Sequence, residues 1–297
     1  MSELATLELR DAVLRRAGSA LTPALTLTTS APRLGLVGDW SPLLELATGQ
    51  AELASGSAQL LGAPLQTAIA DGLLGFAACD PPWPAAFTVT EYLEHAARLS
   101  HGSKARAVQD ARQAIERFEL GELAQRKLSN TYLHQQRAIG IAQTSLTSPQ
   151  VVCLEAPLRG LDAQAADYVA RLCAEVARHA RLIVSAARPT SPSAERSLLD
   201  ACDELFVLEA DALVCHGSPD AVFEPRGRYW LTLASSGADN TAFSGALSAA
   251  GCRVTARARR DDYLIELPPE GSTDLLLDTA LAHGVTVIGL EPVFSTP

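Results

Sequence analysis

Six short apolar runs recur along the chain: Ala5 to Leu9, Leu34 to Val37, Leu74 to Ala77, Val151 to Leu154, Leu182 to Ser185 and Glu204 to Leu208. Each is edged by turn residues and is too brief for a helix, which leaves buried strands. Helical patterns lie between them, so the expected layout is α/β. One long block, Thr88 to about Thr147, has no strand pattern and opens on FTVTEYLEHAARL, where Thr88 or Thr90 can cap the first helix. It reads as a helical subdomain (about 88–147) inserted between two strands. After HGSPDAVFEPRGR the texture changes to strand, helix, strand, strand, helix, strand, with Gly251 and Gly284 placed as helix stops. That β-α-β-β-α-β order is the ferredoxin-like split motif. Two domains are expected, 1–218 and 228–297.

Composition narrows the functional classes. At 297 residues and 47% hydrophobic content the chain can bury a substantial core. Its net charge of -10 favours neither a nucleic-acid backbone nor an anionic membrane surface. No apolar run reaches the roughly 18 to 20 residues of a membrane span. Glu3, Glu8 and Arg10 stand where a signal peptide needs an apolar stretch, so a cytoplasmic chain without membrane insertion is expected. Six cysteines are scattered singly without CxxC spacing and read as buried thiols, and six dispersed histidines suggest no metal site. ARARRDD (256–262) is a local positive edge, read first as a solvated hairpin.

RLGLVGDWSPLLELATG, Arg33 to Gly49, combines a buried strand, a glycine turn and an amphipathic helix. This is the layout of a phosphate-binding loop, but without the glycine-rich segment or the lysine. Further along, VVCLEAPLRGLD, Val151 to Asp162, is an apolar strand ending in a carboxylate, then a proline and a GLD turn. It resembles the Walker B and D-loop segment of ABC-transporter ATPases. LSNTY (128–132), followed by IGIAQTSLTSPQ, is similar to the family's LSGGQ or LSKGY element and its helix. The turn ASGSAQLLG, the Q-loop-like LLGFAACDPPWPAAFTVTEYL, the switch-histidine-like RLIVSAAR and the final ELFVLEADALVCHGSPDAVF follow the family order. The C-terminal domain looks like the one appended to ABC-2-type ATPases, including those serving drug export, polysaccharide export and gliding motility.

The resemblance implies a P-loop NTPase-like ABC ATPase fold whose ATP-site positions are altered. After Gly38, only Asp39 and Trp40 stand where the family has PNGAGK. Ser41 falls on the Mg2+-binding hydroxyl, Trp40 replaces the lysine, and Asp39 adds repulsion toward a polyphosphate. Gly38 and Ser41 read first as a tight turn and a helix cap, ahead of any remnant of a nucleotide site. Losing three charge-assisted hydrogen bonds of about 1.5 to 3 kcal/mol each would weaken nucleotide binding by on the order of three to six decades. Glu155 takes the place of the Mg2+-holding aspartate and Ala156 that of the glutamate that orients the attacking water. Cys79 or its neighbour sits at the Q-loop glutamine, Ala187 at the switch histidine and Arg16 near the adenine-stacking aromatic. Asn130 and Thr131 replace the LSGGQ glycines and leave Ser129 able to touch a phosphate on a partner subunit. Asp162 is either a D-loop contact or a helix N-cap.

The expected function is therefore a catalytically inactive, pseudo-ATPase subunit that pairs, as homo- or heterodimer, with an intact ATPase subunit beneath an ABC-2-type permease. It would lie at the inner face of the membrane through that permease. No cofactor of its own is expected, although the family would use ATP and Mg2+. A stand-alone regulatory or scaffold protein on the same fold is the alternative, and a weakly ATP-binding ATPase the third reading. Trp83 and Tyr92 are candidates for permease contact or for core packing.

Overall fold

The computed structural model describes residues 4–16, 21–187, 189, 193–209, 212–223, 227–234, 240–256, 262–268 and 271–293. They fall into two compact units, Met1–Pro219 and Asp220–Pro297.

The first unit contains two sheets. Strands β1 (Leu7–Arg16), β2 (Leu25–Thr29), β4 (Ala51–Leu60) and β5 (Ala63–Pro64) form an antiparallel sheet in the order β2-β1-β4-β5. Strands β3 (Arg33–Gly38), β6 (Leu74–Ala77), β7 (Val151–Leu154), β8 (Arg181–Ala186), β9 (Glu204–Glu209) and β10 (Ala212–Gly217) form a six-stranded sheet in the order β10-β9-β3-β8-β7-β6. All pairs in it are parallel except the β9–β10 hairpin. All four residues of β7 are buried, which is why this sheet reads as continuous apolar runs and not as alternation. Helices α1 (Ser41–Thr48) and α2 (Leu65–Ala70) pack with the antiparallel sheet, while α6 (Ala163–Ala177) and α7 (Ala194–Asp200) follow β7 and β8. One core runs through β1, β3, α1 and β4, with Leu9, Leu14, Leu34 and Leu36 fully shielded from water. Each such leucine contributes about 1.5–3 kcal/mol.

The helical block between β6 and β7 holds α3 (Val89–His101), α4 (Lys104–Arg117) and α5 (Leu133–Thr144). Thr88, not Thr90, caps α3. Its hydroxyl accepts from the Glu91 N–H at 3.2 Å, and the Glu91 carboxylate accepts from the Thr88 N–H at 2.8 Å. The reciprocal pair satisfies two donors that the helix leaves open.

Residues 54–62, expected as a turn, are instead mostly strand. AELASGSAQL pairs along β1, although residues 52–56 are all exposed and give no apolar alternation. Its pairing depends on backbone fit at an irregularity where Asp11 has φ +45°. Opposite, a Cβ on Gly56 would fall 2.2 Å from the Asp11 carbonyl oxygen.

The second unit begins inside helix α8 (Pro219–Phe223), at Asp220, and continues β11 (Arg228–Leu233), α9 (Asn240–Ala249), β12 (Arg253–Ala256), β13 (Asp262–Glu266), α10 (Thr273–Ala282) and β14 (Val287–Pro292). From β11 onward this is the β-α-β-β-α-β order, and the strands pair antiparallel in the order β12-β13-β11-β14. Alternation along RYWLTL points Tyr229, Leu231 and Leu233 into a core with Phe243, Leu247, Ile265 and Leu276. Gly251 and Gly284 follow the two helices with φ of +88° and +64°. Of the ARARRDD stretch, residues 257–261 lie outside the described residues.

Among the described residues no helix is long and apolar enough to cross a membrane. All six cysteines are buried thiols outside any disulfide.

Candidate functional site

In open α/β sheets ligands gather at the carboxyl ends of the parallel strands. Residues singled out in the sequence lie at those ends: Gly38 to Ser41 after β3, Cys79 after β6, Glu155 and Ala156 after β7, and Ala187 after β8.

The β3–α1 turn is closed upon itself. Gly38 has φ +102°, and a Cβ there would lie 2.1 Å from the Leu208 carbonyl oxygen, so only glycine lets β3 run this close to β9. The Ser41 N–H donates to Asp39 Oδ1 at 3.0 Å. Pro42 has no N–H to offer. The N–H groups of Leu43 and Leu44 donate to the Trp40 carbonyl at 3.0 and 3.1 Å. Every backbone donor in the first turn of α1 is thus engaged inside the chain. Trp40 is 2% exposed, and its indole Nε1 donates to the Val37 carbonyl at 3.0 Å. Its side chain enters the core and does not reach outward as a phosphate-binding lysine would. A cradle needs several N–H groups aimed at one external point. The residues of this turn do not fit that requirement. Arg16 ends β1, and its side chain lies outside the described residues.

The ends of β6 and β7 are stitched together. Glu155 Oε2 accepts from the Cys79 N–H at 3.0 Å, while the Glu155 N–H donates to the Ala77 carbonyl at 2.9 Å. Ala156 takes the left-handed φ of +37°. Its N–H donates to the buried Ser185 hydroxyl at 3.0 Å, and its carbonyl accepts from the Cys79 thiol at 3.5 Å. Burial pushes the Cys79 thiol up, against the pull of the Arg137 guanidinium. A methyl group at position 156 can neither take nor give a proton. Ala187, one residue beyond β8, is exposed and is likewise without a titratable group.

The LSNTY element forms a single tight turn over Leu128–Asn130. Leu128 is fully buried and anchors it, leaving Ser129 and Asn130 exposed. The Ser129 hydroxyl donates to Asn130 Oδ1 at 3.4 Å, and the Thr131 hydroxyl donates to the Leu128 carbonyl at 2.6 Å. Asp162 is the N-cap of α6, with Oδ1 accepting from the Ala165 N–H at 2.9 Å. Trp83 and Tyr92 pack edge to face with centroids 5.3 Å apart, and the Tyr92 hydroxyl bonds the Gln143 side chain. Both rings are half-buried.

Sequence reading missed a charge cluster beside Cys79. Asp80 Oδ1 accepts from Arg137 Nη2 at 3.1 Å, and Asp80 Oδ2 from Arg159 Nη2 at 2.5 Å. The arginines lie 57 and 79 residues away in sequence, a separation at which no local pattern signals pairing.

No protein-family model and no curated protein matches the chain. Solved structures do. CbiO1 from Clostridium perfringens, part of the ABC transporter complex CbiONQ, matches with a TM-score of 0.62 at 16% identity, over 74% of this chain and 91% of that one. A metal-chelate type ABC transporter in an inward-facing conformation matches with a TM-score of 0.60 at 19% identity, over 74% and 86%. The ATP-binding subunit of an ABC transporter matches with a TM-score of 0.60 at 17% identity, over 73% and 91%. The expectation that no cofactor is involved is corrected here, since a neighbour of the same fold is an ATP-binding subunit. On this chain, phosphate donors would have to come from outside the closed β3–α1 turn. At these identities the likeness establishes architecture, and the chain carries the fold of the ATP-binding subunits of ABC transporters.

Proposed function

We propose that the chain is a non-hydrolysing ABC ATPase-like subunit that pairs with a competent ATPase beneath a membrane permease. The observation that carries this reading is the β3–α1 turn, where the Ser41, Leu43 and Leu44 N–H groups are bonded within the turn itself and the Trp40 side chain is buried. Ala156 at the end of β7 supports it, because the attacking water would find no carboxylate there. ATP belongs to the shared site: the partner's phosphate loop holds it, and this chain offers the exposed Ser129 and Asp162 from the opposite side. The permease is of the ABC-2 type, the class whose ATPases carry a C-terminal extension resembling residues 228–297. The chain sits at the cytoplasmic face, peripheral to the membrane through that permease.

The test is Mg-ATP turnover by the purified full chain, alone and after co-expression with the ATPase that copurifies with it. Background phosphate release alone, and a partner rate that falls with Ser129→Ala, are expected. Turnover by the chain alone that Glu155→Gln abolishes would overturn the reading.

A further inference from the structure

We infer that Asp80 is a positioning residue, whose carboxylate ties the segment bearing Ser129 to the turn bearing Asp162 and so sets the spacing of the two. The partner-facing role of those segments rests on the function proposed above; the tie itself does not. Asp80 follows β6, where the chain leaves the sheet for the helical block. One carboxylate oxygen holds Arg137 on α5, the other holds Arg159 in the turn after β7, and Arg137 Nη2 also reaches the Arg159 carbonyl at 3.5 Å. Ser129 lies eight residues before Arg137, just ahead of α5, and Asp162 three residues after Arg159.

The two arginines are not equivalent. Arg159 and Asp80 are exposed, with side-chain exposures of 57% and 61%, and such a pair alone is weak. Arg137 is 7% exposed, and its Nε is buried without a hydrogen-bond partner among the described residues. A buried guanidinium needs a compensating carboxylate. Arg137 therefore holds Asp80 in place, and Asp80 in turn holds Arg159. The neighbouring Cys79 keeps the carboxylate from swinging away, since its N–H and thiol are bonded to Glu155 and Ala156. Without Asp80 the two guanidiniums repel, and the exposed one moves.

Hydrogen exchange followed by mass spectrometry on the full chain tests this, comparing wild type with Asp80→Asn, Asp80→Glu and Arg159→Ala. Asp80→Asn should raise exchange roughly tenfold in residues 128–137 and 156–162 together, with β3 and β9 unchanged. Asp80→Glu should recover most of the protection. Arg159→Ala removes an exposed side chain without stranding Arg137 and should loosen 156–162 alone. A rise confined to residues 78–88, a rise throughout β3 and β9, or no recovery by glutamate would overturn the assignment. Partner stimulation is read separately. Loosened segments with unchanged stimulation would refute the partner role of Ser129 and Asp162 and leave the tie standing.

Discussion

Trp40 gives the sharpest test of the closed turn, because it occupies the position where the resembling family has its phosphate-binding lysine. Its indole is 2% exposed within the core of the first unit and donates to the Val37 carbonyl at 3.0 Å. A tryptophan buries about 150–250 Å², worth an upper bound of about 4–6 kcal/mol at 25 cal/mol/Å². Core truncations of this kind cost about 3–5 kcal/mol once partial relaxation is included. Trp40→Ala should therefore destabilise the first unit by about 3–5 kcal/mol, or on the order of 10 °C for a unit of this size. Trp40→Phe keeps most of the apolar area and loses the bond to Val37, for about 1–2 kcal/mol. Trp40→Lys restores the family's residue type but not its function, because the ammonium is aimed into the core; it should cost at least as much as alanine. The assay is urea unfolding by circular dichroism, with calorimetry separating the two units. A loss below about 1 kcal/mol for Trp40→Ala, or a Trp40→Lys chain that folds like wild type and gains ATP affinity, would refute an inward-facing Trp40.

Gly38→Ala should cost more than about 2 kcal/mol, since strain at a positive φ adds to a collision with the Leu208 backbone; Gly49→Ala, with φ +75° but open space, should cost only about 1 kcal/mol. Matching losses in urea titrations would argue against the close approach of β3 to β9. Asp203 is held below the usual carboxylate range by its hydrogen bonds to Arg33, against the opposing effect of burial. Its contribution is present above the ordinary aspartate pKa of about 4 and is lost as pH falls through the lower folded value. The stability gap between wild type and Asp203→Asn should be flat above that pH and shrink below it; a gap that widens on acidification would contradict the pairing. Burial pushes the thiols of Cys153, Cys173 and Cys202 up to about 12, so all three should resist alkylation at pH 8 in the native chain and react after unfolding. Rapid native labelling of any of them would place it outside the core.

Buried strands were legible because a parallel sheet shielded on both faces writes itself as uninterrupted apolar runs. LGLV, VVCL and LIVS all became central strands. Strand β4 was not legible, because residues 52–56 of AELASGSAQL all face water and the segment is a strand only through its pairing with β1. The Thr88 cap was readable as a local pattern, with Glu91 three residues on. The sequence fits Asp162 to two roles, D-loop contact and helix cap, and its bond to the Ala165 N–H supplies the second.

By itself the sequence determined the α/β layout, the helical block and the second β-α-β-β-α-β unit, along with the two-residue link between β3 and α1. These follow from periodicity, turn chemistry and chain length, which act over a few residues. Tertiary structure decided which way Trp40 points, which donors of the α1 turn are already engaged, and that Asp80 meets Arg137 and Arg159. Those outcomes depend on how segments distant along the chain pack against one another, and whether a side chain is buried or a charge is paired is settled only when that packing brings its surroundings together.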